Sequence, residues 1–401
     1  MKICGIVAEY NPFHKGHLYQ IEETRRRLGD DTAIVCVMSG DFVQRGEAAV
    51  LDKNRRAEAA VHCGADLVLS LPLRWSLSSA PGFADGAVHI LNKAGCDFIS
   101  FGAEDDDLGE LQQLAGLIAE KSVEEAIIAR MDEGMPYAIA RERALYSRIR
   151  EKAELIRKPN NILAVEYLRA IRQQESSMIP IAVRRMGAEH DGEEVHEGIA
   201  SASYIRSLIR EEQLDRAEHL LPAPVFEMLV QAEEEGTLLW DLSRMDCAMT
   251  AVLRRMDAAD FAKIPGAAEG LEHRLAEAVR KGRSFDEMCA LAKTKRYAHS
   301  RIRRMLCSAF LGIEKQDRPL PPFSRVLAFN DRGRAVLSHL EPDEDFTFLT
   351  KPAAAKALPE GARAAFELEA KAADAYDLAL PAYGEHPLGR EWAKGPVYVK
   401  E

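Results

Sequence analysis

The sequence lacks any long apolar segment. No stretch approaches the roughly 18 consecutive apolar residues that a membrane-spanning helix needs. Met1-Lys2 leads directly into an apolar stretch, without the charged, apolar and small-residue regions of a secretory signal. We therefore expect a cytoplasmic protein with no membrane partner.

No two cysteines are spaced as CxxC, and the number of cysteines is odd. This excludes a disulfide framework and a zinc site of the CxxC type, and the sequence indicates no other metal site. We expect most of the cysteines to be buried thiols, because a thiol packs as a small apolar side chain. The seven cysteines are scattered, at Cys4, Cys36, Cys63, Cys96, Cys247, Cys289 and Cys307.

An excess of positive charge is absent as well. The formal net charge is −11, which argues against a protein that coats nucleic acid non-specifically, because such binding depends on neutralising many phosphates. A local basic face remains compatible with this total, since the net charge does not describe how the charges are distributed.

What the sequence does have is a regular alternation of apolar runs and amphipathic stretches. Near-continuous apolar strands separated by helices indicate a parallel sheet covered on both faces. The predicted fold is therefore α/β, with a Rossmann-like parallel-sheet domain over residues 1–220. Strands are predicted at 3–8, 33–38, 65–69, 97–101 and 179–183, and helices at 17–28, 53–63 and from 202 to 212.

Two further regions are predicted, because 401 residues are too many for one ordinary core. Residues 221–316 carry alanine, leucine and charged residues at helical spacing and predict a helical domain. The segment 317–322 has three prolines and predicts a linker. Residues 323–401 predict a small mixed α/β region, with a strand at 325–329 followed by a turn at Asn330-Asp331-Arg332-Gly333.

The strongest functional signal lies between the first strand and the first helix, in Asn11-Pro12-Phe13-His14-Lys15-Gly16-His17. Ligands of parallel sheets bind at the carboxyl ends of the strands, where a helix N-terminus offers free N–H groups to phosphate. Two imidazoles at this turn can stabilise the charge that develops as the α-phosphorus of a triphosphate is attacked. A lone histidine is more often a cap or a surface residue, but the combined motif favours a phosphate site.

This motif resembles the HxGH signature of the nucleotidyltransferase superfamily, whose members catalyse attack on the α-phosphate of ATP or CTP. The segment Ile199-Ala200-Ser201-Ala202-Ser203-Tyr204-Ile205-Arg206 resembles the superfamily's ISSTxxR element, in which hydroxyls, N–H groups and the arginine hold the β and γ phosphates. Because Ala202 replaces a serine and Ser203 the usual threonine, Ser203 is a better candidate than Ser201. The alternative interpretation is an ordinary N-capped helix.

Further strings, spread over most of the chain, resemble the bacterial tRNA(Met) cytidine acetate ligase family. The resemblance implies that ATP, with Mg²⁺, activates acetate to acetyl-adenylate, and that the acetyl group passes to N4 of the wobble cytidine of elongator tRNA(Met). The strings are VMSGDFVQRGE at 37–47, GADLV at 64–68, FGAE at 101–104, PNNIL at 159–163 and KTKRY at 293–297.

The resemblance also implies the site residues. His14, Lys15, His17 and Arg206 are implied to be catalytic. Asp41, Arg45 and Glu47 form a charged loop in which Arg45 either holds acetate or a phosphate, or pairs at the surface. The implied ATP-binding residues are Ile6, Val7, Ala8, Glu9, Tyr10, Asn11, Pro12, Phe13, His14, Lys15, Gly16, His17, Leu18, Tyr19, Gly102, Asn160, Arg185 and Ser203.

One basic run stands out in the otherwise acidic chain. Residues 293–304 contain six Lys or Arg and no acid, which favours contact with RNA phosphates over a merely solvated helix face. An interleaved tyrosine could stack on a base. The predicted RNA-binding residues are Lys293, Lys295, Arg296, Tyr297, Arg301, Arg303 and Arg304.

Two other functions stay open at this stage. A small-molecule adenylyltransferase needs little beyond the first domain, so the residues after about 220 would go unexplained. A non-catalytic RNA-binding protein on a nucleotidyltransferase fold is possible in principle, because a fold alone does not prove activity. That interpretation predicts a damaged HxGH motif, whereas His14, Gly16 and His17 are all present.

Overall fold

The computed structural model describes residues 1–133, 135–186, 198–268, 270–315, 320–384 and 388–400. The last residue of the predicted helical domain and the first part of the predicted linker lie outside these residues. The strands are β1 Ile3–Ala8, β2 Ala33–Ser39, β3 Phe42–Val43, β4 Glu47–Ala48, β5 Leu67–Leu71, β6 Phe98–Ala103, β7 Ile179–Arg184, β8 Phe323–Phe329, β9 Thr347–Leu349 and β10 Val397–Tyr398.

Helices separate and follow these strands. The α-helices are α1 Lys15–Leu28, α2 Lys53–His62, α3 Leu73–Ser76, α4 Ala80–Lys93, α5 Leu108–Ile118, α6 Lys121–Asp132, α7 Tyr137–Ile149, α8 Pro159–Gln173, α9 Ala202–Arg210, α10 Ala223–Glu234, α11 Asp246–Leu253, α12 Ala258–Ala262, α13 Leu271–Lys281, α14 Phe285–Ala292, α15 His299–Leu311, α16 Asp331–Ser338, α17 Glu360–Asp377 and α18 Arg390–Ala393. Short 3-10 helices cover Arg150–Arg157, Leu214–Leu220, Ser243–Met245 and Pro352–Ala357. None of the described helices is long and apolar enough to cross a bilayer.

Eight strands form the central sheet, in the order β10-β8-β5-β2-β1-β6-β7, with β9 paired to β8. The strands β5, β2, β1, β6 and β7 are parallel to one another, whereas β8 runs antiparallel to β5. The predicted α/β fold with a mostly parallel sheet is confirmed, and β8, β9 and β10 run opposite to the other five strands.

Apolar cores lie on both faces of this sheet. All residues of β2 are buried. Side chains alternate across a strand, so Val35 and Val37 pack into one core while Ile34 and Cys36 pack into the other. This two-sided burial explains why the strands read as near-continuous apolar runs rather than as alternating patterns.

The later regions divide between a helical module and the sheet itself. Every element described between residues 202 and 315 is a helix, and α11 to α15 share a third apolar core. The segment after the prolines returns to the first region, where β8, β9 and β10 extend its sheet. The domain boundaries stay a prediction, but the strands described within residues 323–384 and 388–400 all belong to the sheet of the first region.

The predicted turn at 330–333 is wrong. Asn330 is the N-cap of α16, and its side-chain oxygen accepts a hydrogen bond from the Gly333 backbone N–H at 2.9 Å. A side chain at Gly333 would place its Cβ 1.9 Å from the Asp66 carbonyl oxygen. The glycine therefore lets the first turn of the helix lie against the start of β5, and it does not mark a loop.

Candidate active site

One cleft opens at the carboxyl ends of β1 and β6, beside the start of α1, α8 and α9. Strand β2 lies on one side of β1 and β6 on the other, so this is the switch point of the sheet, where ligands of such folds bind. Among the predicted residues, the cleft is lined by Ile6, Val7, Ala8, Glu9, Tyr10, Asn11, His14, His17, Gly102, Asn160, Arg185, Ser203 and Arg206.

The two histidines cap α1 reciprocally. Nδ1 of His14 accepts a hydrogen bond from the Gly16 N–H at 3.0 Å, and Nδ1 of His17 accepts one from the His14 N–H at 3.2 Å. The rings stack with their centroids 3.8 Å apart. A Cβ at Gly16 would lie 2.9 Å from Cε1 of His14, so the glycine of the motif makes room for the imidazole in addition to any ligand.

Burial and neighbouring charged groups set the charge state of both rings. Burial, with Arg185 and Arg206 nearby, lowers the pKa of His14 to about 3. Burial, followed by His14 and then Arg185, also lowers the pKa of His17 well below its ordinary value. A neutral imidazole whose Nδ1 accepts a hydrogen bond carries its proton on Nε2. Each ring is therefore a neutral donor on the wall of the cleft.

The low pKa of His14 predicts a pH dependence of stability. Below about pH 6.5 the ring binds a proton in the unfolded chain but not in the folded one, so the free energy of unfolding should fall as the pH drops from 6.5 toward 3. His14→Asn keeps an N-capping side chain and should reduce this slope by up to about 1.4 kcal/mol per pH unit. Urea unfolding at several pH values measures it. His273→Asn, at a ring with 78% exposure, is the control, and an unchanged slope in His14→Asn would contradict the neutral, buried ring.

Arg206 connects α9 to the first motif. One terminal nitrogen donates to the Asn11 carbonyl oxygen at 2.9 Å, and the other to Oγ of Ser203 at 3.4 Å. Ser201 caps the helix by accepting from the Tyr204 N–H at 3.1 Å. The hydroxyl of Ser203 lies on the cleft wall instead, which is consistent with the preference for Ser203 over Ser201 as the phosphate contact.

Arg185, which follows β7, and Asn160, in the first turn of α8, also line the cleft. Arg185 donates to Oδ1 of Asn160 at 3.3 Å, and Nδ2 of Asn160 donates to the Glu104 carboxylate at 2.6 Å. Burial lowers the pKa of Arg185, opposed by Glu104. A Cβ at Gly102 would lie 3.3 Å from Cγ of Arg185. The glycine therefore leaves space for the arginine side chain that borders the cleft.

Other predicted residues lie outside the cleft. Gly16 and Tyr19 line a smaller adjoining cavity between α1 and β7, whereas Pro12, Phe13, Lys15 and Leu18 line neither. Nζ of Lys15 donates to the His219 carbonyl oxygen at 2.6 Å. The structure thus gives Lys15 a contact with the 3-10 helix Leu214–Leu220 and does not bring it to the two histidines.

Several cleft residues were not predicted. Gln20 lies one helical turn after His17, so the helical spacing of α1 could have indicated it. Phe83, Leu163 and Tyr167 come from α4 and α8, and no local pattern distinguishes them from core residues. The cleft residues missing from the prediction are Gln20, Val43, Gln44, Phe83, Phe101, Leu163, Tyr167 and Ala202.

The charged loop after β2 divides its residues between two environments. Arg45 and Glu47 line the cleft, while Asp41 is buried and accepts a hydrogen bond from Arg390 of α18 at 2.7 Å. Gly46 has φ +73°, and a Cβ there would lie 2.6 Å from the backbone of Arg303. The loop therefore touches both the helical module and the C-terminal region.

The basic run faces partly inward. Tyr297 is 8% exposed and belongs to the helical core. Arg301 lies over its ring, with Cζ 5.0 Å from the centroid, and donates to the Gly266 carbonyl oxygen at 2.8 Å. Arg303 pairs with Asp286. Lys293 and Lys295 are exposed. The RNA-binding set stays a prediction, and base stacking by Tyr297 would require this segment to move.

Comparison with known proteins identifies the family of this chain. The chain matches a family model described as HIGH Nucleotidyl Transferase over residues 1–390. It is 32% identical to the tRNA(Met) cytidine acetate ligase of Acetivibrio thermocellus over 416 residues, covering 100% of both chains. The chain belongs to the tRNA(Met) cytidine acetate ligase family. The family assignment made from the sequence is confirmed.

Other members and solved structures agree with this assignment. A Clostridium botulinum tRNA(Met) cytidine acetate ligase is 35% identical over 397 residues, covering 94% of each chain. The crystal structure of apo Thermotoga maritima TmcAL matches with a TM-score of 0.94 at 30% identity and 100% coverage of both chains. The same Thermotoga protein bound with alpha-thio ATP matches with a TM-score of 0.92. The family members are named as ligases, and one fold serves both states of the Thermotoga protein.

Proposed function

We propose that this chain activates acetate with ATP and acetylates N4 of the wobble cytidine of elongator tRNA(Met), forming N4-acetylcytidine in the cytoplasm. The observation that carries the proposal is the meeting of two neutral imidazoles, Arg185 and Arg206 in one cleft at the sheet's switch point. Family membership supplies the substrate class, since the relatives are named for tRNA(Met), cytidine and acetate.

In the first step, an acetate oxygen attacks the α-phosphorus of ATP. The bond from that phosphorus to the bridging oxygen breaks, and pyrophosphate leaves with the electron pair. The Nε2–H donors of His14 and His17 stabilise the charge on the phosphoryl oxygens, and Arg206 with the Ser203 hydroxyl holds the leaving group. No protein nucleophile is needed. Lys15 is not assigned a direct role, because it donates to His219.

In the second step, the amine of the cytidine attacks the carbonyl carbon of acetyl-adenylate, and AMP leaves. An acyl-adenylate hydrolyses in water, so a walled cleft protects it until RNA arrives. Apolar and aromatic side chains, including Phe83, Phe101 and Tyr167, line the cleft beside the polar groups. We assign the exposed Lys293 and Lys295 to RNA phosphates, because they are the cations of the basic run that face solvent most fully.

Mg²⁺ is proposed to accompany the triphosphate. Within the described ranges, no group of three or more His, Cys, Asp or Glu side chains is placed to hold a metal ion. Magnesium commonly keeps water and phosphate oxygens as ligands and uses few protein groups. We therefore propose that the triphosphate brings the ion, which would neutralise charge on the departing pyrophosphate.

The test separates the two half-reactions. Acetate-dependent exchange of labelled pyrophosphate into ATP measures adenylate formation, and label from acetate in elongator tRNA(Met) measures transfer. We expect both with the purified chain. Exchange that depends on another small acceptor and ignores acetate would support a small-molecule adenylyltransferase. RNA binding without any exchange would support a non-catalytic protein.

A further inference from the structure

A second cavity lies directly behind one wall of the ATP cleft. It is bordered by the segment 47–50, by α9, and by the helical module around Trp240, Phe285 and Arg303. Glu47 and Arg206 line both this cavity and the cleft. A molecule bound in the second cavity could therefore contact Glu47 and Arg206, the two side chains that also border the cleft.

Trp240 is exposed on this cavity, in contrast to the two residues before it. Leu238 and Leu239 are 1% and 2% exposed, whereas Trp240 is 37% exposed. The backbone here is held in place, because the Leu239 N–H donates to the Val50 carbonyl oxygen at 2.9 Å. A large, pre-positioned aromatic face on a cavity wall is the group on which proteins stack an unpaired base.

The charged side chains around the cavity are of both signs: Glu47, Asp241, Asp246 and Asp286 line it together with Arg206, Arg210 and Arg303. The Glu47 carboxylate lies 3.8 Å from Arg206 and 3.9 Å from Arg303, so it is held between the cleft and the cavity. A carboxylate accepts hydrogen bonds from the exocyclic amine of cytosine. Arg210 is exposed at the same cavity, where a cation can contact the RNA backbone.

We propose that this second cavity receives the unstacked cytosine, with Trp240 stacking on the base and Glu47 accepting a hydrogen bond from its amine. This inference rests on the proposed function and names the acceptor site for its second step. As N4 attacks the acetyl carbonyl carbon, an N–C bond forms, the bond from that carbon to the AMP phosphate oxygen breaks, and AMP takes the electron pair. The Glu47 carboxylate takes the N4 proton.

Trp240 gives the sharpest test, because it lines the second cavity and not the ATP cleft. Trp240→Ala should raise the KM for elongator tRNA(Met) by about ten- to one-hundred-fold, while acetate-dependent pyrophosphate exchange stays unchanged. Trp240→Phe, which keeps a ring, should recover much of the loss. The affinity for a labelled anticodon stem-loop RNA, measured by fluorescence anisotropy without ATP, should fall in parallel.

Tyr398→Ala is the matched control, since Tyr398 is 43% exposed on β10 and lies outside both cavities. It should leave the KM and the affinity for the stem-loop unchanged. Unaltered RNA binding and transfer in Trp240→Ala, with exchange intact, would overturn the acceptor site but leave the proposed function standing. Loss of exchange in Trp240→Ala with an unchanged thermal melting temperature would also overturn it. Absence of exchange in the unmodified chain would instead reject the proposed function.

Discussion

Replacing both histidines of the motif, His14→Ser with His17→Gln, is expected to reduce acetate-dependent pyrophosphate exchange by at least about 10²–10³-fold. The pair Ser and Gln at N-cap and N3 forms an ordinary capping box, so it replaces the reciprocal hydrogen bonds by which His14 and His17 cap α1. What it removes is the pair of neutral Nε2–H donors on the cleft wall. The variant therefore separates the catalytic contribution from the cap.

The measurement is the exchange rate at saturating ATP and acetate, together with urea unfolding. The free energy of unfolding should stay within about 1 kcal/mol of the unmodified protein, because a cap is exchanged for a cap. His273→Gln, at a histidine exposed on α13, should change neither quantity. Retention of full exchange by the double variant would remove the histidines from the mechanism. A stability loss that accounts for the whole decrease would show that their role is structural.

Glu391→Gln is expected to destabilise the protein by about 3–5 kcal/mol. The Glu391 carboxylate lies 2.7 Å from Nζ of Lys53 and 2.6 Å from a terminal nitrogen of Arg325. All three side chains are 2% exposed or less. Neutralising the acid leaves two buried cations without this counter-charge, and desolvation of an uncompensated charge is costly. Urea unfolding measures the loss.

Glu367→Gln is the matched control for this prediction. Glu367 lies 3.8 Å from Arg363 on the surface of α17, with 51% and 47% exposure of the two side chains. A surface pair of this kind contributes at most about 1 kcal/mol. If Glu391→Gln cost no more than Glu367→Gln, the buried network would not hold α18 against the sheet.

Much of the sheet could be predicted because its signals are local. The run Ile3–Ala8 is observed as β1 with the predicted bounds, and Ile179–Arg184 as β7 with one more residue. A buried parallel strand shows itself as a short apolar run whatever it later pairs with. The prediction at 330–333 was wrong for a related reason, since an asparagine with a glycine three residues later is compatible with either a turn or a helix cap.

The candidate site divides in the same way. The HxGH motif and the segment around Arg206 could be recognised from short stretches of sequence. Helices α1 and α9 carry those side chains at the N-cap or within the first two turns. Lys15 belongs to the same motif but lies outside the cleft, because its side chain reaches His219. A spacing specifies the face on which a residue lies, but not which distant backbone group its side chain contacts.

Composition and short-range pattern were therefore sufficient for the fold class, and the resemblance of short motifs was sufficient for the family. Long-range packing was needed to place β8 antiparallel beside β5, to pair Glu391 with Lys53 and Arg325, and to set Trp240 behind the wall formed by Glu47 and Arg206. The physical reason is separation along the chain. Helix caps and apolar runs are encoded within a few residues, whereas a buried ion pair or a shared cavity wall depends on which segments the whole core brings together.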